Sequence, residues 1–259
     1  MVSILRMRVC WQSYVNAVEQ AAYIDRLSAY LDEIAAPGVD YTVWDLTPPD
    51  RDLHRVSEFR CSVDVVRNAV RAEQEGFDAF AIGHFQDSGL WEARGAVDIP
   101  VLGLGEASML WACMVGGKIG LVTIDPIFIP FHEEQIRRYG LGHRVTRVAA
   151  IETNVAEFMQ AFDERAAFER VRAQFEAQTR PLVVEGADVV IPAGGLPTLL
   201  FMRERGFAIE GATVLNGIAV LARQTEAAAS LAELTGTVAS RAGLFAKAPQ
   251  RAIDDLFEL

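Results

Sequence analysis

Apolar and polar positions follow two different periods along this chain, and the two periods alternate. Short continuous apolar runs predict buried strands at 4–11, 39–46, 78–83 and 99–103. Between these runs, apolar residues recur at three- and four-residue steps, as in Ile24, Leu27 and Leu31, which is typical of amphipathic helices. Strands that alternate with helices predict a parallel sheet.

The same order of elements begins again after Lys118. Strands are predicted through Gly120–Thr123, near 145–149, at 188–192 and at 212–215. Helices are predicted near 127–139, over one long stretch ending at Glu185-Gly186, and over 217–235. The second half of the chain therefore repeats the first.

Two short segments carry this repeat most clearly. Glu75-Gly76-Phe77-Asp78 leads through an apolar strand to His84, and Glu185-Gly186-Ala187-Asp188 leads through another to Gly194. Both pairs, Asp78 with Asp188 and His84 with Gly194, are 110 residues apart. We therefore expect an α/β fold of two pseudo-symmetric lobes, 1–115 plus 217–259 and 116–216. Each lobe should hold a parallel sheet flanked by helices, with a cleft between them, and His84 and Gly194 at equivalent strand ends, where such sheets bind ligands.

Some local patterns carry weaker predictions. The polar stretch 47–61 reads as a loop that could cover a site, followed by a helix near 62–76. A short helix is predicted from 88, with Asp87 or Ser88 as its cap. Away from His84, the remaining histidines are expected at the surface or at helix caps: His54, His132 and His143.

Composition narrows the function classes. The formal charge of −11, without clustered Lys and Arg, disfavours a nucleic-acid surface. No apolar run approaches the ~20 residues that span a bilayer and no signal peptide is visible, so we expect no membrane partner and a cytoplasmic location. Three widely spaced cysteines predict reduced thiols and no metal site.

Several segments, in order, resemble the hydantoin-racemase branch of the aspartate/glutamate racemase superfamily. They cover 82–90 (IGHFQDSGL), 99–109 (IPVLGLGEASM), 120–123 (GLVT), Tyr139-Gly140, 186–190 (GADVV) and 215–217 (LNG). The resemblance implies two α/β lobes with a small-molecule substrate between them, and no metal or organic cofactor. It also implies one catalytic cysteine from each lobe.

At the family's two cysteine positions this chain has His84 and Gly194. A histidine can act as general acid or base near neutral pH, whereas glycine has no side chain. The expected chemistry is one-sided proton transfer by His84 next to a carbonyl or carboxylate. Alternatives are decarboxylation of a malonate-like acid, hydrolysis of a cyclic amide, and binding without catalysis. The resemblance supports the decarboxylase alternative, because arylmalonate decarboxylases of the same superfamily also have glycine at one of the two cysteine positions.

The substrate is expected to be a small carboxylate or cyclic amide, and the protein a homo-oligomer. Polar strand ends and glycine turns predict the substrate contacts, and the amides of Gly194 and Gly195 could hold an oxyanion. The predicted contacts are Gln12, Ser13, Phe85, Gln86, Asp87, Thr123, Gly194, Gly195 and Asn216, with Cys10 and Trp11 as further candidates.

Overall fold

The computed structural model describes residues 6–51, 54–202 and 204–258. Its first elements are β1 (Met7–Gln12), α1 (Ala21–Ile34), β2 (Val39–Trp44), α2 (Arg55–Gln74), β3 (Ala79–Ile82), α3 (Leu90–Ala96) and β4 (Val101–Gly103). They are followed by α4 (Leu104–Val115), β5 (Ile119–Thr123), a 3-10 turn (Pro126–Phe128), α5 (Ile129–Arg138), β6 (Val145–Ala150), α6 (Val155–Asp163) and α7 (Arg165–Val184). The last are β7 (Val189–Ala193), α8 (Gly195–Phe201), β8 (Ala208–Ile209), β9 (Ala212–Val214), α9 (Gly217–Thr235) and α10 (Gln250–Glu258).

Two sheets with the same strand order confirm the predicted α/β fold. The first sheet is parallel throughout, in the order β2-β1-β3-β4. The second has the order β6-β5-β7-β9 and adds the short strand β8 antiparallel to β9. Each of the first four strands thus has a counterpart in the same position of the second sheet.

The turns that lead into β3 and β7 match bond by bond. Gly76 and Gly186 have φ values of +75° and +100°, the left-handed conformation that favours glycine after a helix. Their amides donate to the carbonyls three residues earlier, at 3.1 and 2.9 Å. The carboxylates of Asp78 and Asp188 then accept hydrogen bonds from the backbone amides of Arg8 and Lys118, which lie at the starts of β1 and β5. The repeat seen in the sequence is therefore a repeat of hydrogen bonds.

The chain divides into two compact units. The first comprises the described residues up to Gly103 and from Leu221 onward, and the second comprises 104–220. Helix α4 accordingly belongs to the second unit, whereas the sequence placed residues up to 115 in the first. The cleft expected between the lobes stays a prediction.

Each unit has its own buried core. In the first, apolar residues of α2, α3 and α10 pack on the sheet around the fully buried Phe80 and Ile82. In the second, the rings of Phe175, Phe201 and Phe207 pack against one another, with Phe175 and Phe201 only 4.5 Å apart between centroids. Among the described residues, no helix is long and apolar enough to cross a membrane.

The predicted loop 47–61 is wrong over its second half. Helix α2 begins at Arg55, because His54 and Ser57 form a capping box: the His54 Nδ1 accepts the Val56 amide at 3.2 Å, and the Ser57 hydroxyl accepts the His54 amide at 3.1 Å. The capping role expected of His54 is confirmed. Residues 52 and 53 lie outside the described part of the chain.

Three other local predictions are also corrected. Asp87 does not cap α3; Gly89 at φ +79° precedes the helix, and no side chain caps it. The long helix before Glu185 is two helices, because Glu164 adopts an extended conformation between α6 and α7. His132 is fully buried in α5 rather than at the surface, while His143 is exposed as expected.

Candidate functional site

The end of β3 sets the position of His84. All four residues of β3 are buried, and the Gly83 amide extends the ladder by donating to the Gln12 carbonyl at 2.8 Å. A Cβ at Gly83 would lie 2.1 Å from the indole nitrogen of Trp11, so only glycine fits there. The chain then turns, and His84 follows Gly83 with a side chain that is 17% exposed.

Two residues that were not among the predicted contacts hold the His84 ring. The Nε2 of His84 lies 3.1 Å from one carboxylate oxygen of Glu58 and 3.3 Å from the other. The Tyr14 ring stacks on the imidazole, with centroids 3.9 Å apart and planes 8° from parallel. The hydroxyl of Ser88 donates to Glu58, and the Tyr14 hydroxyl donates to the Ser88 carbonyl at 2.8 Å. Tyr14, Glu58, His84 and Ser88 therefore form one connected group, which we call the His84 cluster.

Charge fixes the protonation states within the His84 cluster. Burial disfavours the Glu58 carboxylate, but the positive charge of His84 and the hydrogen bonds from His84 and Ser88 outweigh burial and lower the pKa of Glu58 to about 2. Burial likewise disfavours the charged imidazole, but the Glu58 carboxylate outweighs it and raises the pKa of His84 above its ordinary value. Glu58 is thus an anion near neutral pH, and His84 is biased towards the imidazolium.

This assignment identifies the reactive atom of His84. An ionised carboxylate can only accept hydrogen bonds, so Nε2 carries a hydrogen in both protonation states of the ring. Nδ1 makes no hydrogen bond with the described part of the chain, and the His84 side chain is 17% exposed. Nδ1 can therefore gain or lose a proton while Glu58 and Tyr14 hold the ring in place.

The predicted substrate contacts of the first unit are mostly buried. The Gln12 side chain donates to the Ser13 carbonyl at 2.7 Å and accepts from Asn68 at 2.8 Å, and Ser13 is itself buried. Phe85, Gln86 and Asp87 are also buried, and Asp87 has the unusual positive φ of 55° for a residue other than glycine. Their roles towards a substrate stay predictions.

The two further candidates on β1 face opposite sides of the sheet. Cys10 belongs to the apolar core under α2, and burial raises the pKa of its thiol far above its ordinary value. Trp11 is buried against Tyr41, with ring centroids 6.3 Å apart. Within the described part of the chain, its indole nitrogen has no hydrogen-bond partner.

In the second unit, the end of β7 carries no acid or base. Gly194 is extended, with φ 160° and ψ 154°, and its amide donates to the Pro192 carbonyl at 3.0 Å. That amide is used within the turn, and the contact with an oxyanion expected of Gly194 and Gly195 stays a prediction. Gly195 begins α8, and the Asn216 side chain caps α9 by accepting the Ala219 amide at 2.9 Å.

Thr123 is held by His132, for which a surface or helix-capping position was expected. The hydroxyl of Thr123 lies 3.2 Å from Nε2 of His132, and Nδ1 of that ring lies 2.9 Å from the Gln135 side-chain oxygen. All three residues are buried. Both ring nitrogens of His132 are engaged, in contrast to those of His84.

A sequence signal for Glu58 exists, although the predicted loop hid it. Once α2 is extended back to Arg55, Glu58 falls on the same face as the buried Cys61, Val65 and Ala69, at helical spacing. An acid on an apolar helix face requires a partner. Its partner His84 lies 26 residues away in the sequence, so local patterns alone could not identify the pair.

Solved structures of similar fold include racemases. An allantoin racemase from Klebsiella pneumoniae superposes with a TM-score of 0.76 at 24% identity, covering 94% of each chain. A glutamate racemase from Bacillus anthracis gives 0.60 at 16% identity, over 91% of this chain and 84% of the other. At these identities the likeness concerns the fold.

Sequence comparison adds the family. A hydantoin racemase from Pseudomonas sp. (strain NS671) is 32% identical over 110 residues, 42% of this chain and 43% of that protein. A hydantoin racemase from Rhizobium meliloti is 25% identical over 158 residues, 61% and 62% of the two. The matches thus span about half the length of these curated relatives. The model of the family Asp/Glu/Hydantoin racemase matches residues 20–225, and the chain belongs to that family.

Proposed function

We propose that the protein is a racemase-type enzyme that moves a proton at a carbon next to a carbonyl or carboxylate, with Nδ1 of His84 as its acid and base. The observation that carries the proposal is the His84 cluster, in which Glu58 and Tyr14 fix the ring and leave Nδ1 without a described partner. Gly194 has no side chain, so the chemistry is one-sided. The substrate class, a small carboxylate or cyclic amide, agrees with the relatives named hydantoin and allantoin racemases.

The proposed step conserves protons and electrons within substrate and His84. Neutral Nδ1 takes the proton of the C–H bond, and the electrons of that bond move into the neighbouring carbonyl to give an enolate. The imidazolium so formed is stabilised by the Glu58 carboxylate. Return of the proton to the same face restores the starting configuration. A net reaction therefore requires protonation of the enolate at another position, which is a 1,3-shift of the proton.

The raised pKa of His84 favours a second candidate, decarboxylation of a malonate-like acid. Because Glu58 biases His84 towards the imidazolium, the resting ring is a proton donor. In this reaction the C–CO₂⁻ bond breaks, CO₂ leaves, and the carbanion takes its proton from Nδ1. No base is needed in the first step, and one donor on one face suffices.

One experiment separates these reactions. A panel of hydantoins, small 2-substituted acids and malonates is first screened by thermal shift, since ligands that bind only the native state raise its stability. Turnover of each hit in deuterium oxide is then followed by NMR with a chiral shift reagent. We expect deuterium on one face of the product carbon only, and release of CO₂ identifies the decarboxylase. Equal exchange into both enantiomers would show a second base and contradict the one-sided proposal.

A further inference from the structure

A cavity in the first unit lies outside the His84 cluster. It has a volume of about 530 Å³ and lies between the end of β2 and one face of α2. The strand side is formed by residues 43–47, which include Trp44. The helix side is a stripe at three- and four-residue spacing, formed by Asp64, Arg67, Asn68, Arg71 and Glu75.

Part of this charge is already neutralised within the protein. The carboxylate of Asp64 accepts from Arg60 at 2.9 Å and from Arg67 at 3.0 Å. The Nε of Arg67 also donates to the Leu256 carbonyl at 2.9 Å. These three side chains form a closed group at one end of the cavity, and they need no ligand.

Two opposite charges, Arg71 on the next turn of α2 and Glu75 at its C-cap, are not neutralised in this way. The only recorded contact of the Arg71 guanidinium within the described residues is with the Phe257 ring, 5.7 Å from its centroid. The Glu75 carboxylate has neither an ion pair nor a side-chain hydrogen bond there. Since residues four apart share one helix face, the cavity presents a cation and an anion side by side.

We propose that this cavity binds the zwitterion of a free α-amino acid, independently of the reaction at His84. The carboxylate of the ligand pairs with Arg71, whose planar guanidinium suits bidentate binding, and its ammonium group pairs with Glu75. The ligand side chain lies towards Trp44, which provides an aromatic wall. A simple anion meets Glu75 and Asp45, and a simple cation meets Arg71, so a molecule with both charges fits best.

The cavity is connected to the strand end beside the His84 cluster. The Asn68 amide on its helix wall donates to Gln12 at 2.8 Å, and Gln12 donates to the Asp45 carbonyl on its strand wall at 3.2 Å. An amino acid in the cavity contacts both segments that hold the Gln12 side chain. Gln12 is one of the predicted substrate contacts, which makes the cavity suited to an effector.

Calorimetric titration of the full chain at low salt tests the proposal. The common amino acids are the probes, and hydrocinnamate and phenethylamine are matched to phenylalanine but each lacks one charge. We expect at least one amino acid to bind and both analogues to bind about 10- to 100-fold more weakly. Absence of binding by all amino acids at millimolar concentration overturns the proposal, and so does equally tight binding of either single-charge analogue.

Variants of the two charged residues test whether the amino acid binds in this cavity. Arg71→Gln and Glu75→Gln should each weaken the amino acid about 10- to 100-fold, because each removes one charged partner. Arg165→Gln is the matched control, since its side chain is 91% exposed on α7. Both cavity side chains are exposed, so the unliganded melting temperatures should match the parent. Unchanged affinity in either cavity variant places the ligand elsewhere and rejects this site. The readout is binding, so its outcome is separate from that of the proton-transfer experiment.

Discussion

The strands β3 and β7 are entered through equivalent turns and differ in the chemistry of their carboxyl ends. Helices α2 and α7, which precede them, are each 20 residues long and end in the same glycine turn. Yet β3 leads to His84 and β7 to Gly194. Glu58, which holds the His84 ring, has Phe168 as its equivalent 110 residues later. Duplication thus preserved the turn and the strand, while the acid and its histidine are present in one copy only.

The histidines of the two units differ in how many ring nitrogens the protein engages. His132 lies beside the end of β5, but it is fully buried and both its nitrogens are engaged, by Gln135 and Thr123. His84 has one engaged nitrogen and a partly exposed side chain. A ring that exchanges protons with a ligand needs a nitrogen that the protein leaves open. The first unit meets this condition, whereas the second uses its histidine to fix Thr123.

The largest expected effect comes from removing the ring at the first strand end. His84→Ala should lower the rate about 10²- to 10⁴-fold, the usual contribution of a general acid or base, while ligand binding is retained. His143→Ala is the matched control, because His143 is exposed and distant in sequence from both strand ends. Steady-state kinetics and calorimetry measure the two quantities. A variant of His84 with full turnover would remove the chemical difference between the two copies.

Adding a thiol to the second copy should not restore symmetry. Gly194→Cys is expected to leave deuterium on one face of the product, because a histidine reaches farther than a cysteine and the two groups would be mismatched. The new Cβ would lie 3.0 Å from Pro197, a tight contact that does not favour a preorganised thiol. The deuterium experiment measures the result, with the parent protein as control. Efficient two-faced exchange in this variant would show that only the missing side chain separates the copies.

Glu58 should make the stability of the protein depend on pH. Its pKa is about 2 in the folded chain against an ordinary 4.5, which corresponds to about 3 kcal/mol. This contribution is present above pH 4.5 and is lost as the pH falls towards 2. The raised pKa of His84 acts in the other direction: its contribution is present below about pH 6.5 and is lost as the pH rises through the folded-state value.

Urea unfolding across this pH range compares the parent with Glu58→Gln. The variant should lose most of both pH dependences, and the limb of its pH–rate profile that reports His84 should move to lower pH. Glu169→Gln is the control, because that side chain is 56% exposed. Its ion pair with Arg165, at 3.8 Å, lies at the surface, where such pairs contribute little to stability. If Glu58→Gln keeps the acid-side slope of the parent, another carboxylate is responsible.

Local signals determined how much of this arrangement the sequence could predict. The glycine turns at Gly76 and Gly186 and the apolar strands after them depend on neighbouring residues, and they were predicted close to their observed bounds. Glu58 depends on His84, 26 residues away, and its helix was predicted to start too late because histidine is an uncommon first residue of a capping box. Burial of His132 depends on packing around Thr123, which periodicity over ten residues does not reveal.

The two glycine turns should be of equal importance for stability. Gly76→Ala and Gly186→Ala each force a Cβ into the left-handed conformation, at a cost of about 1–2 kcal/mol. Neither new Cβ would clash, since the nearest recorded atom is 3.8 Å away at Gly76 and none lies within 4 Å at Gly186. Gly142→Ala is the control, because it has open space and no positive φ, and should change stability by less than about 0.5 kcal/mol. A large cost at one turn only would mean that the copies are not equivalent.

Alkylation of the cysteines should have the smallest effect, because we expect it to leave turnover unchanged. Cys10 and Cys61 are fully buried, and burial raises the pKa of Cys61 to about 12 and that of Cys10 further, so almost no thiolate is present to react. Cys113 on α4 is half-buried and should take up iodoacetamide first, with turnover unchanged. Cys113→Ser should then remain almost unlabelled by mass spectrometry. Loss of turnover in step with labelling of Cys10 would instead show that the first strand end uses a thiol, and that His84 supports it rather than carrying the proton itself.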